Sequence, residues 1–282
     1  MAESDNQPAA DSAPAPPREA WEVVQTARNP QRPYTLDYVN RLVERFTELH
    51  GDRRFGDDGA MVAGLGFLED TPVAVLGQQK GRTAAERRER NFGMARPEGY
   101  RKALRVMQLA ARFGRPLLTF IDTPGADCLE DSESRGISEA IAVCQRDMFA
   151  LPVPVISVVV GEGGSGGAIG IGVGNRVYMQ QYTYYSVIMP EACAAILWRD
   201  PSQNKRAAEA LRVTAPDALR LGLIDGIIPE PPGGAHLDYE AAAVAVKEQV
   251  VAALEELRGV PSAQLIAERY GKFRRMGAPA GV

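Results

Sequence analysis

The apolar, β-branched run Val153-Pro154-Val155-Ile156-Ser157-Val158-Val159-Val160 empties directly into Gly161-Glu162-Gly163-Gly164-Ser165-Gly166-Gly167-Ala168. The first segment reads as a strand buried on both faces, as in parallel sheets covered by helices. The second places five glycines in the seven positions from Gly161 to Gly167. That density adds conformational entropy to the unfolded chain and needs a reason beyond a simple turn. The small-residue segment Ala168-Ile169-Gly170-Ile171-Gly172-Val173 comes next and reads as a closely packed helix. A strand that passes through glycine into a helix leaves bare N–H groups at the helix N-terminus. Those donors can face an oxyanion, and glycine lets a ligand approach the main chain. A packing turn without chemistry would show the same glycines. The stretch lacks the Gly-Lys-Ser/Thr ending of a P-loop, and it misses the spacing and trailing acid of a dinucleotide fingerprint.

Around this feature, strands and helices alternate. A short helix is expected over 21–28, an extended segment over 29–33 because of Pro30 and Pro33, and a helix over 34–50 from the spacing of Leu36, Val39, Leu42, Val43, Phe46 and Leu49. Strands over 61–68 and 72–76 form a hairpin through Glu69-Asp70-Thr71. A helix over 98–113, a strand over 115–121, a helix over 133–150 and the strand over 153–160 follow. Two short strands are expected over 176–179 and 185–188, and a helix begins at Pro190. The C-terminal third reads as helical, over 203–211, 215–221, 239–257 and 262–276, with a break at Pro229-Glu230-Pro231-Pro232-Gly233-Gly234. The alternation indicates α/β architecture with largely parallel sheets.

Residues 1–18, rich in Ala, Pro, Asp and Ser without a basic start or apolar stretch, read as a disordered tail rather than a signal peptide, and 19–282 as one domain. A net charge of −4 argues against a nucleic-acid surface, and no apolar run reaches the length of a membrane span. Cys128, Cys144 and Cys193 form no CxxC pair, and His50 and His236 are the only histidines. A structural zinc site is therefore not expected, and the compartment reads as reducing cytosol.

Other segments carry weaker signals. Lys80-Gly81-Arg82 opens a basic run through Arg87, Arg88 and Arg90 to Asn91-Phe92-Gly93-Met94. It suits a phosphorylated, flat ligand or equally a solvated surface loop. Asp122, before Thr123-Pro124-Gly125, reads as a turn-former rather than a general base. Glu162 and Glu191 read as helix caps, and Ser165 lacks the Gly-x-Ser-x-Gly setting of a hydrolase nucleophile.

Taken together, several stretches resemble the alpha subunit family of bacterial acetyl-CoA carboxylase carboxyltransferases. They are Pro30 to Tyr38, Gln79-Lys80-Gly81-Arg82, Arg90-Asn91-Phe92-Gly93-Met94, Pro97 to Arg105, Thr119 to Ala126, Gly161 to Ala168, Tyr185-Ser186-Val187-Ile188, Ile196-Leu197-Trp198, and Leu223 through Pro231. The likeness spans roughly residues 27–275, and the combination is far more specific than any one motif. It implies an α/β crotonase-like fold, a spiral of β-β-α units with peripheral and C-terminal helices. It further implies transfer of a carboxyl group from biotin, held on a separate biotin carboxyl carrier protein, to acetyl-CoA. A carboxyltransferase beta subunit would complete the site in an α2β2-type assembly with a homodimer contact.

On this resemblance Gly166 and Gly167 donate backbone N–H groups to an oxyanion, the ureido oxygen of biotin. Gly163, Gly164, Lys80, Arg82, Arg90, Gly125, Ala126 and Arg135 are the candidate substrate-binding residues. One loop departs from the family pattern. Asp127-Cys128-Leu129-Glu130-Asp131 replaces a Tyr-Pro-Gly-containing run, and its carboxylates would repel a carboxylated ligand unless they point away. A paralogue using another acyl-CoA, a decarboxylase and a non-catalytic assembly partner are the alternative readings.

Overall fold

The computed structural model describes residues 18–277, so all of the expected tail but Arg18 lies outside the described residues, as do residues 278–282. Helices α1 (Ala20–Ala27) and α2 (Thr35–Leu42) lead into strand β1 (Glu44–Glu48) and the hairpin β2 (Met61–Leu68) and β3 (Thr71–Gln78). Helix α3 (Ala84–Glu89) and a 3-10 turn over Asn91–Gly93 precede α4 (Pro97–Arg112) and β4 (Leu117–Thr123). Helices α5 (Glu130–Ser134) and α6 (Ile137–Ala150) then return the chain to β5 (Val155–Gly164) and α7 (Ser165–Ile169). Strands β6 (Arg176–Gln180) and β7 (Tyr184–Ser186) are followed by α8 (Pro190–Trp198), α9 (Asn204–Leu211), α10 (Ala215–Arg220), β8 (Gly226–Ile228), α11 (Tyr239–Glu256) and α12 (Ser262–Arg275).

The strands form one sheet in the order β1-β2-β3-β4-β5-β6-β8, with β7 added beside the far end of β5. The first two pairings are antiparallel and the rest parallel. Parallel strands need covered faces, and the side chains alternate accordingly. Val155 and Val159 of β5 join Ala103, Val106, Met107 and Ala110 of α4 and Cys144 and Met148 of α6. Ile156, Val158 and Val160 join Tyr38, Val39 and Leu42 of α2 and Val246 and Val250 of α11. The centre of the sheet is therefore dry on both sides, and the ends of its parallel strands set where the glycine motif emerges.

Several sequence expectations are corrected. The segment over 29–33 is a tight turn: the Arg32 N–H donates to Asn29 O at 2.9 Å, and the Gln31 N–H to Asn29 Oδ1 at 2.9 Å. Asparagine supplies that local acceptor, which outweighs the extended preference before proline. The helix expected over 34–50 ends at Leu42. Val43 turns extended (φ −117°, ψ 111°), and Glu44–Glu48 pairs with β2 through a bulge that includes Arg45 at φ 50°. The apolar spacing suits either element there, and pairing with the edge of the hairpin decides it. The helix expected over 133–150 is broken at Gly136 (φ 81°) into α5 and α6. The strand expected to stop at Val160 runs on to Gly164, because Thr123 of β4 and β7 both pair with its glycines. Helix α7 is correspondingly short, and Gly170–Asn175 is a turn segment rather than the expected helix. In the C-terminal third, the three-residue β8 lies hidden among helices.

Candidate active site

Strand β5 ends where β4 and β7 flank it, with Thr123 against Gly163, and Tyr185 and Ser186 against Gly163 and Gly164. Ser165 then takes a left-handed conformation (φ 49°) and turns the chain into α7. The first amides of a helix have no intrahelical acceptor, and among the described residues the Gly166 and Gly167 N–H groups donate to nothing. The Gly167 carbonyl is fixed from below by Gln78 Nε2 at 3.0 Å and the Tyr100 hydroxyl at 3.2 Å. Alongside runs the loop after β4, clipped by Thr123 Oγ1, which accepts from the Gly125 N–H at 3.1 Å and donates to Gly125 O at 2.5 Å.

The two segments touch. A Cβ on Gly167 would stand 2.5 Å from the Gly125 carbonyl carbon and 2.7 Å from the Ala126 nitrogen, and one on Gly164 would collide with the Pro124 carbonyl. The Ala126 N–H also has no acceptor among the described residues. Three unclaimed amide donors, those of Ala126, Gly166 and Gly167, therefore lie at one junction. Beside them opens a largely apolar cavity of about 520 Å³, lined by Gly166, Val177, Tyr185, Leu223, Phe273 and Met276 among others. Burial pushes the Tyr185 phenol up to about 12.

On the other side of β5 lies an ionic network. Lys80 Nζ stands 2.7 Å from both Asp122 Oδ1 and Glu162 Oε1. Glu162 also accepts from Arg28 Nε at 2.8 Å and the Tyr184 hydroxyl at 2.6 Å, while Arg28 reaches Glu191 at 2.5 Å. Burial alone would raise the Glu162 carboxyl, but Lys80, Tyr184 and Arg28 hold it at about 2. Burial pushes Asp122 upward, with Lys80 opposing. Asp122 is thus not a turn-former: it sits inside β4 and accepts from the Glu162 N–H across the sheet at 2.9 Å. Glu162 likewise lies within β5 and caps no helix. Glu191 lies in the first turn of α8, where its carboxylate pairs with Arg28. A second cavity, of about 320 Å³, is lined by Arg28, Lys80, Arg87, Phe92 and Glu162.

The remaining sequence candidates fall around this centre. Gly163 and Gly164 belong to it directly. Lys80 joins it through Glu162, with its charge already shared by two carboxylates. Arg82 pairs with Asp37 at 2.5 Å and lies over the Tyr34 ring, and Arg90 donates to Gly59 O at 2.8 Å. Arg135 pairs with Glu98 at 2.8 Å and with Asp131. In the acidic loop Asp127 is buried and accepts from Ser132 Oγ at 2.7 Å, Asp131 pairs with Arg135, and Glu130 is exposed. Sequence reasoning missed Arg28, Tyr184 and Tyr185, since their partners are distant in the chain. The signal for Tyr185 was its place in the family-like stretch Tyr185-Ser186-Val187-Ile188. Among the described residues no group of three or more His, Cys, Asp or Glu is placed to hold a metal.

Comparison with known proteins bears on this arrangement. Residues 17–277 match the model of the acetyl co-enzyme A carboxylase carboxyltransferase-like family. The acetyl-coenzyme A carboxylase carboxyl transferase subunit alpha of Geobacter sulfurreducens is 57% identical over 256 residues, covering 91% of this chain and 80% of the relative. That of Idiomarina loihiensis is 54% identical over 258 residues, covering 92% and 81%. Among solved structures, transcarboxylase 12S superposes with a TM-score of 0.66 at 17% identity, covering 85% of this chain but only 44% of its own. A Pseudomonas malonate decarboxylase hetero-tetramer chain gives 0.64 at 21% identity, covering 79% and 88%. At such identities the structures establish the fold alone, the crotonase-like α/β architecture expected from the sequence.

Proposed function

Because the chain belongs to the acetyl co-enzyme A carboxylase carboxyltransferase-like family, we propose that the Ala126, Gly166 and Gly167 amides serve its reaction as an oxyanion hole. The chain acts as the carboxyltransferase alpha subunit of an acetyl-CoA carboxylase, an enzyme subunit that helps convert acetyl-CoA to malonyl-CoA for fatty-acid synthesis. A beta-type subunit is its partner, and we assign to that subunit the acetyl thioester and the remainder of the site.

The observation that carries the reading is a junction of three unclaimed N–H donors, one of which, that of Gly166, belongs to a residue lining an apolar cavity. Such a cavity suits the flat bicycle of biotin, with Gly166 in its wall. Biotin on a separate carrier protein supplies a carboxyl group held on a ureido nitrogen, which, once released, can take the α-proton of acetyl-CoA. The three amides stabilise negative charge that develops on an oxygen placed beside them, and one such donor is worth roughly 10²–10³ in rate. The Gln78 and Tyr100 contacts to the Gly167 carbonyl keep the adjoining peptides aimed, so no reorganisation is needed as charge appears. Two of the acidic loop's carboxylates have partners, Asp127 with Ser132 and Arg96 and Asp131 with Arg135, which lessens the repulsion of an anionic ligand that its composition suggests. The decarboxylase and assembly-partner alternatives are not favoured beside relatives at 50–57% identity that carry the carboxyl transferase alpha name. No described helix is long and apolar enough to cross a membrane, and we place the enzyme in the cytoplasm.

The test is isotope transfer with the purified chain, a beta subunit and a biotinylated carrier, following labelled bicarbonate through biotin carboxylase into acetyl-CoA. Label in malonyl-CoA that requires every component is the expected result. Absence of transfer by the complete, assembled system would contradict the reading.

A further inference from the structure

Tyr185 stands in the wall of the apolar cavity and is held there from two sides. Pairing with Gly163 lays its ring on β5, where a Cβ at Gly163 would meet Tyr185 Cδ2 at 2.8 Å. At the other end of the ring, a Cβ at Gly172 would meet the hydroxyl oxygen at 3.4 Å. The ring thus spans from the strand before α7 to the turn after it, passing alongside the helix that presents Gly166.

Its hydroxyl differs from those of the fully buried tyrosines. Tyr38 donates to Gln180, Tyr100 to Gly167 O and Tyr184 to Glu162. The Tyr185 hydroxyl makes no hydrogen bond to any described residue. The residue is half-buried and its hydroxyl opens onto the cavity, so it is free to donate to a ligand seated there. The neighbouring walls offer nothing: Val177, Leu223 and Phe273 are apolar, and Ser186 Oγ already donates to Ile188 O at 2.8 Å.

We propose that the Tyr185 hydroxyl donates a hydrogen bond to the ureido ring of the carboxylated biotin head group, acting with the Gly166 amide to fix that ring in the cavity. This rests on the carboxyltransferase reading above. Tyr185 would then determine recognition of the carboxyl donor and leave recognition of the thioester untouched. A phenol that burial holds protonated through neutral pH is suited to donate. The apolar walls hold the bicycle by contact, and a single donor on a rigid ring gives it an orientation.

Tyr185→Phe tests the assignment cleanly, because it removes an oxygen that bonds to no described residue and keeps the ring that packs on Gly163. The assembled complex is assayed in the reverse direction, with malonyl-CoA as donor and either biotinylated carrier or free biocytin as acceptor. The expected result is a drop of about tenfold in kcat/KM for the biotin acceptor, with KM for malonyl-CoA and the melting temperature unchanged. Parameters within twofold of wild type for both substrates would overturn the proposal. So would an equal rise of both KM values with a lowered melting temperature, which marks a purely structural role. Failure of the wild-type complex to transfer carboxylate would instead contradict the carboxyltransferase reading and, with it, this one.

Discussion

At Gly167 two backbone segments approach so closely that any Cβ would stand 2.5 Å from the Gly125 carbonyl carbon, whereas at Gly166 the nearest atom to a Cβ is Ile141 Cδ1 at 3.6 Å. The two glycines thus serve different ends: one permits contact between loops, and the other has room to spare. Gly167→Ala is expected to destabilise the chain by about 2 kcal/mol through overpacking, lowering the melting temperature by about 5 °C. Gly166→Ala is expected to leave it within about a degree, since an alanine that fits also narrows the unfolded ensemble. Differential scanning calorimetry of both variants checks the contrast, and equal shifts would contradict it. The sequence made the glycines conspicuous, but it could not separate these roles, because the contact partner Gly125 is contributed by a different strand end. Asp122 was misread for the same reason: its neighbours Thr123-Pro124-Gly125 suggest a turn, while its partners Lys80 and the Glu162 N–H come from other strands.

Strand β5 and its short helix act as a unit whose aim depends on what grips the strand's end. Arg28 after α1, Lys80 after β3 and Tyr184 of β7 all converge on Glu162, so one carboxylate ties three neighbours to the glycine segment. Its carboxyl is held at about 2 against an ordinary 4.5. A depressed carboxylate contributes stability that is fully present above the unfolded value and is lost as pH falls through the folded one. Glu162→Gln leaves Lys80 and Arg28 under-neutralised and should cost about 3 kcal/mol at pH 7. The gap to wild type should close as pH falls from about 4.5 towards about 2. Urea denaturation at pH 7 and pH 3 measures it, and a gap independent of pH would contradict the network. Element boundaries were legible where period and length agree, as in α4 and the β2–β3 hairpin. They failed where a short apolar run suits either element, as at β1, or where a strand carries glycine instead of β-branched residues, as at the end of β5.

For the molecule as a whole, the dry, largely parallel centre of the sheet was readable from its continuous apolar runs, which need helices on both faces. The surface around the cavity was not, because it depends on residues from β6, β7, α7 and α12 meeting in space. Two cavity-lining side chains, Ile169 and Val187, remain 43% and 75% exposed, which suits a site that a partner subunit covers. The chemistry is therefore best measured in the assembled complex. The most direct test of the oxyanion hole is kcat for carboxyl transfer to acetyl-CoA by wild type and Gly167→Ala, each with its beta subunit and carrier, at a temperature where both stay folded and assembled. Displacing the Ala126 and Gly167 amides is expected to lower kcat about a hundredfold or more, with assembly unchanged by native mass measurement. A variant that assembles and turns over within threefold of wild type would contradict the account.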